Sequence, residues 1–151
     1  MPEINLMAPY PSGKGRSADR PNITDEDKCI SKKFGRDYFD GDRRHGYGGY
    51  SYHPRFWTDT VRYIRDHYQL PQDAAILDIG CAKGFMLRDF QLLMPRARLA
   101  GIDVSSYAIE NALEPVKQLV REGNAKTLPY ADKSFDLVLA INTIHNLAWQ
   151  D

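Results

Sequence analysis

Apolar positions recur at helical spacing between Arg55 and Tyr68, where Trp57, Val61, Ile64 and Tyr68 follow at steps of four, three and four. Such a stripe predicts a helix with one face on a core. Leu70-Pro71 ends it, because proline carries no N–H and disfavours helical backbone before it. Beyond that point short apolar runs alternate with helical stripes. Ala75 to Ile79 reads as a first strand. Phe85 to Leu93, with Met86, Phe90 and Leu93 on one side, reads as a helix stopped before Pro95. Arg98 to Asp103 reads as a second strand, and Ser106 to Leu113 as a helix closed before Pro115. Leu119 to Arg121 is a short third strand. Phe135 to Ile141, nearly all apolar, is a fourth, of the kind buried on both faces. Thr143 is placed to cap a last helix.

Strands alternating with helices predict an α/β fold with a parallel sheet covered on both faces. The fourth strand has no following strand to pair with, since the sequence ends ten residues after Ile141. Either the sheet is cut short or another copy of the chain covers that edge, a route to self-association.

Residues 1–54 have a different character and form an irregular N-terminal extension; residues 55–151 form the α/β domain. The extension is rich in Gly, Pro, Asp, Arg and Lys and shows no sustained apolar period. Gly13-Lys14-Gly15 is not a phosphate loop, having no preceding strand and no Ser or Thr directly after the lysine. Gly46-Tyr-Gly-Gly-Tyr-Ser-Tyr52 is a glycine and tyrosine loop. It reads either as a surface turn packed on the domain or as a flap over a ligand, with Tyr47 and Tyr50 contacting substrate.

Composition narrows the partners. With 42% hydrophobic and 26% charged residues, the chain is ordinary for a globular domain. Twenty basic and twenty acidic residues cancel, which gives no bulk electrostatic case for nucleic acid or an anionic membrane. Two cysteines, Cys29 and Cys81, make neither a disulfide framework nor a zinc set. No apolar run approaches membrane-spanning length. A reduced, cytoplasmic protein is the expectation.

The chemistry lies in the turn after the first strand. Ala75-Ile-Leu-Asp-Ile-Gly-Cys-Ala-Lys-Gly-Phe85 runs from an apolar strand through a small-residue turn into a helix, and Asp103 ends the next strand nineteen residues after Gly84. That is the shape of a nucleotide-binding βαβ unit, Rossmann-like in architecture. The turn reads G-x-A-x-G, one residue shorter than the dinucleotide fingerprint between its last two small residues, which argues against NAD.

Asp78-Ile-Gly-Cys-Ala-Lys-Gly84, Gly101-Ile-Asp-Val-Ser105, Gly123-Asn-Ala-Lys-Thr-Leu-Pro129 and Asp132-Lys-Ser-Phe-Asp-Leu-Val138 resemble, in order and spacing, the class I methyltransferases that use S-adenosyl-L-methionine. The resemblance covers roughly residues 55–150. It departs from the family at Ala82, where glycine is usual, and at Asn124, where aspartate is frequent. The family sheet has seven strands against four here, so the resemblance implies an incomplete class I fold that carries the cofactor-binding portion.

The resemblance assigns roles. Gly80, Cys81, Ala82 and Gly84 let backbone approach the methionine and ribose parts of the cofactor. Asp78 meets the ammonium group through water. Asp103 accepts both ribose hydroxyls, a bidentate geometry. Val104 covers one adenine face, with Asn124 and Ala125 at the adenine edge. Asn142, after the fourth strand, points to the methionine end or to substrate. Cys81 packs the turn and is no nucleophile, having no nearby histidine in sequence.

Methyl transfer is an in-line displacement that depends chiefly on alignment. His145 is the candidate general base, needed only if the acceptor loses a proton. Asn142 and His145 are poor hard-cation ligands, and His45, His53 and His67 show no metal-ligand spacing, so no metal is expected. A small-molecule or sugar-type acceptor is expected, and poor activity from these 151 residues alone; the alternative is a non-catalytic cofactor-binding module.

Overall fold

A computed structural model describes residues 3–11 and 22–147. Gly13-Lys14-Gly15 and the last four residues lie outside them.

Four parallel strands form one sheet in the order β3-β2-β1-β4: β1 is Ala75–Ile79, β2 Arg98–Asp103, β3 Val120–Glu122 and β4 Leu137–Leu139. The sheet grows outward from β1 to β2 and β3, then β4 returns to the other side of β1. The reversal of direction at β1 opens a crevice beyond the carboxyl ends of the strands, where α/β sheets hold ligands.

β1, β2 and the helix Phe85–Leu93 (α4 in chain order) fall where the pattern predicts. The stripe from Trp57 gives a 3₁₀ turn, Pro54–Phe56, and then an α-helix, Thr58–Tyr68 (α3). Val61 and Ile64 are buried, but Tyr68 is exposed on the last turn. The helix after β2 is shorter than predicted, Ser106–Glu110 (α5), and a 3₁₀ turn, Glu114–Leu119, follows it with Pro115 in its first turn. Proline fits there because the first N–H groups of a helical segment have no internal partner.

β4 departs most from expectation. It pairs only with β1, through Ile76, Leu77 and Asp78. Leu139 is buried, whereas Val138 is 51% exposed. The apolar run Phe135 to Ile141 is thus not a strand buried on both faces. It is an edge strand among the described residues, and three of its residues suffice for the ladder.

The N-terminal extension is more regular than its composition suggests. It carries two short helices, Asp25–Ser31 (α1) and Arg36–Asp40 (α2). Thr24 and Asp27 form a reciprocal capping box on α1, which satisfies two otherwise unpaired N–H groups. These helices are too short to show an apolar period and are held by contacts with the rest of the fold.

Two apolar clusters hold the sheet. One joins Val61 and Ile64 of α3, Ile76 of β1, Met86 and Phe90 of α4, Met94 and Leu139. The other joins Cys81, Leu87, Ala112, Val116 and Val120. Between them they fix α4 and the turn preceding it, which frames the crevice.

Candidate functional site: a crevice at the carboxyl ends of β1 and β2

The turn between β1 and α4 is stitched to β2. The N–H groups of Gly80 and Cys81 both donate to the Ile102 carbonyl, at 2.7 and 3.2 Å, and Gly84 N–H donates to the Cys81 carbonyl at 2.9 Å. Gly80, Ala82 and Gly84 all take left-handed backbone, with φ of 80°, 48° and 76°. Glycine meets that requirement without steric cost, whereas alanine does not. A side chain on Gly80 would also overlap Thr143 Oγ1. Thr143 does not cap a helix: no side-chain bond closes the short 3₁₀ turn Ile144–Asn146. Its hydroxyl instead donates to the Ile79 carbonyl at 3.0 Å, tying the segment after β4 to the end of β1.

Asp103 organises the floor. Its Oδ2 accepts from Ala82 N–H at 2.7 Å and its Oδ1 from Ser105 N–H at 2.9 Å. Each carboxylate oxygen retains capacity for a further donor. Burial raises its ionisation above the usual carboxylate range, and the bonds from Ser105 and Ala82 pull the other way. Asp78, at the end of β1, is buried deeper. Burial first, and then the Asp103 charge, push it up to about 7. A buried carboxyl held in that state favours a cationic neighbour.

These groups open into one cavity of about 840 Å³, within the size range of small-molecule sites. Asp78, Gly80, Cys81, Ala82, Asp103, Val104, Asn124, Ala125 and Asn142 all line it. Tyr47 and Tyr50 line it too, so the glycine and tyrosine loop is a wall of the cavity. Their rings lie 4.3 Å apart between centroids, and Tyr50 stacks on Phe85 at 4.6 Å. Burial pushes the Tyr47 hydroxyl up to about 12 and Tyr50 further still, with the Asp78 charge adding to the latter. Neither phenol ionises near neutral pH.

Two of the residues singled out in the sequence lie outside the cavity lining. Gly84 does not line the cavity; it packs against Val116, where a side chain would meet Val116 Cγ2 at 2.9 Å. His145 is exposed and lies outside the lining. The segment forms one 3₁₀ turn, in which side chains three residues apart align. Thr143 and Asn146 therefore share the cavity side, and His145 falls off it. Cys81 packs in the second cluster with its thiol pushed up by burial, as a filler should be.

No sequence pattern announces the other walls. Met7, Tyr10, Phe34, Tyr38 and Phe39 from the extension and Trp57 before α3 line the cavity as well. The extension is anchored over it by Ser105 Oγ, which donates to the Phe34 carbonyl at 2.5 Å, and by Tyr107 Oη, which donates to Asp40 at 2.7 Å. Among the described residues no helix is long and apolar enough to cross a membrane.

Comparison with known proteins agrees with this architecture. A family model described as a methyltransferase domain matches residues 77–151. A malonyl-[acyl-carrier protein] O-methyltransferase of Legionella pneumophila is 35% identical over 74 residues, covering 46% of this chain and 26% of the relative. A candidate methyltransferase of Encephalitozoon cuniculi is 33% identical over 94 residues, covering 62% of this chain and 40% of the relative. The chain thus spans well under half the length of these curated relatives. Among solved structures, a candidate methyltransferase from an antibiotic biosynthesis pathway of Anabaena variabilis superposes with a TM-score of 0.50 at 26% identity, over 60% of this chain and 36% of that one. Residues 77–151, which carry the turn, both carboxylates and β4, belong to the methyltransferase-domain family.

Proposed function

We propose that this chain binds S-adenosyl-L-methionine and is the cofactor-binding part of a methyltransferase acting on a small-molecule or sugar-type acceptor. One observation carries the reading: two buried carboxylates, Asp78 and Asp103, flank a left-handed turn at the ends of adjacent parallel strands and share a single cavity. That donor set suits a ligand with an ammonium group and a ribose diol. It suits a pyrophosphate poorly, since two carboxylates would repel it.

The residues divide the work. Asp78 holds the ammonium group, directly or through water, and the positive charge draws it into the ionised form. Asp103 accepts from the ribose hydroxyls while keeping its bonds to Ala82 and Ser105. Val104, 56% exposed, offers an apolar face to adenine, and Asn124 and Ala125 line its edge. Asn142 and Thr143 bound the methionine end. Tyr47 and Tyr50 cover the reacting region and exclude water from it. The bound cofactor supplies an electrophilic methyl group on a sulfonium centre, and the chain's part is to align acceptor and methyl. The acceptor is expected to approach from the wall made by the extension. We place the protein in the cytoplasm, consistent with two unpaired cysteines.

Calorimetry tests the reading. S-adenosylmethionine and its demethylated product are expected to bind measurably and NAD far more weakly. Tight NAD binding with no heat from S-adenosylmethionine would overturn it.

A further inference from the structure

Asp40, Lys83 and Tyr107 lie outside the cavity lining yet join its two halves through Tyr50. Asp40, at the end of α2, takes three donors. Lys83 Nζ reaches its Oδ2 at 2.6 Å, Tyr107 Oη the same oxygen at 2.7 Å, and Tyr50 N–H its Oδ1 at 2.9 Å. Lys83 Nζ donates a second bond, to the Tyr50 carbonyl, at 3.0 Å. Both backbone polar groups of Tyr50 are therefore held, one by each member of an ion pair.

The placement of the pair is unusual. Lys83 sits inside the turn between Gly80 and Gly84 and is only 8% exposed; a lysine that buried is ordinarily paired. Its charge lies 5.8 Å from the Tyr107 ring centroid. Burial works against the Asp40 charge, but the bonds from Lys83, Tyr50 and Tyr107 outweigh it and hold the carboxyl below its usual range. The Asp40 carboxylate thus remains charged at neutral pH. The Tyr50 ring, fixed at its backbone, stacks on Phe85 and packs against Tyr47.

We propose that Asp40 and Lys83 are positioning residues: a clasp from the turn to the extension that fixes Tyr50, and through it Tyr47, as the wall facing Asp78 and Asp103, and so sets affinity for the cofactor without touching it. This rests on the cofactor reading above. A surface ion pair would contribute little. This one is largely shielded, with the Lys83 side chain 10% exposed and that of Asp40 27%, and removing the Asp40 charge leaves the buried Lys83 ammonium with only the Tyr50 carbonyl. The turn and the wall then cease to be one rigid unit, and the entropy of ordering the loop falls on the ligand.

The test uses the full chain, with S-adenosylhomocysteine as the probe. Its dissociation constant is measured for the wild type, Asp40→Asn, Tyr50→Ala and the double variant, and amide exchange of Tyr50 is followed in the free proteins. Asp40→Asn and Tyr50→Ala are each expected to weaken binding about tenfold. The double variant is expected to match Tyr50→Ala within threefold, because Asp40 acts through a ring no longer present. Tyr50 amide protection is expected to fall in Asp40→Asn. Tyr107→Phe removes one Asp40 partner without touching Tyr50 and is the milder second variant, expected to weaken binding two- to threefold, and not at all when combined with Tyr50→Ala. A purely structural role would lower the melting temperature and leave affinity unchanged, or give multiplicative losses in the double variant; either result overturns the proposal. A wild type that binds no S-adenosylhomocysteine would overturn the cofactor reading itself, and the clasp's role with it.

Discussion

Replacing Asp78 by Asn is expected to make the protein more stable above neutral pH and to flatten its pH profile. Asp78 is buried at the end of β1, and burial with the Asp103 charge raises its ionisation from 3.8 to about 7. The unfolded chain releases this proton near pH 4, whereas the folded chain keeps it until near pH 7. Folding is therefore linked to proton uptake, and stability falls as pH rises through that window. At about 1.4 kcal/mol per pH unit, the loss approaches about 4 kcal/mol once both states are ionised, of which about 3 kcal/mol falls between pH 5 and pH 8. Asparagine has nearly the same shape and no charge, so Asp78→Asn escapes the loss. Asp103 and Asp89 are shifted in the same direction by burial, so the wild-type curve contains their slopes too; the difference between the two proteins reports Asp78 together with its coupling to Asp103. Urea unfolding from pH 5 to pH 9 is the assay, with and without saturating S-adenosylhomocysteine. The ligand's ammonium group is expected to offset most of the wild-type loss and to do little for the variant. Parallel profiles for the two proteins would refute the reasoning, since Asp78 would then ionise as readily in the fold as in the unfolded chain.

Other outcomes are as specific. Ala82→Gly is expected to stabilise the free protein by about 1 kcal/mol, because residue 82 has a φ of 48° that costs a side chain more than glycine; thermal unfolding checks it. Gly80→Ala is expected to destabilise by about 2 kcal/mol or more and to weaken cofactor binding, since its methyl group would displace Thr143 from the end of β1; unfolding and calorimetry together report both losses. Asp103→Ala is expected to weaken cofactor binding by about 1–3 kcal/mol through two lost charge-assisted bonds; an unchanged dissociation constant in a folded variant would leave Asp103 only as the tie on the turn. Val138→Lys is expected to suppress self-association at the β4 edge, where Val138 is 51% exposed; light scattering at high concentration would show wild type and variant alike if the edge plays no part.

The central βαβ unit was legible because its signals are local and strong. Ala75–Ile79, Phe85–Leu93 and Arg98–Asp103 are bounded by proline, small residues and a strand-ending aspartate, and each lies where its pattern puts it. Asp78 and Asp103 were legible for the same reason, as carboxylates at strand ends. β4 misled because an apolar run does not reveal how many neighbours a strand has; Val138 faces solvent although its sequence neighbours are apolar. The extension was opaque because long-range bonds hold its helices: Asp40 is fixed by Lys83 and Tyr107, 43 and 67 residues away. Lys83 lies between Ala82 and Gly84, at an unspecified position of the G-x-A-x-G turn. Its role depends on a partner that no local pattern announces. The position of His145 outside the lining was not legible, because a 3₁₀ turn, and not an α-helix, sets the phase of its side chain.

The contacts that close the cavity also fix the order in which a growing chain can complete it. The wall is synthesised before its anchors: Phe34 waits 71 residues for Ser105 and Asp40 waits 67 for Tyr107. Until those residues leave the ribosome, Phe39, 3% exposed in the finished fold, lacks the Tyr107 ring that stacks on it at 6.3 Å. The extension, made before the sheet, is thus fastened after it, and closing so long a loop carries an entropic cost that only the completed β1–β2 unit repays. Chains stalled before and after Tyr107 is exposed should differ sharply in chymotryptic cleavage at Phe39, with protection appearing only in the longer ones.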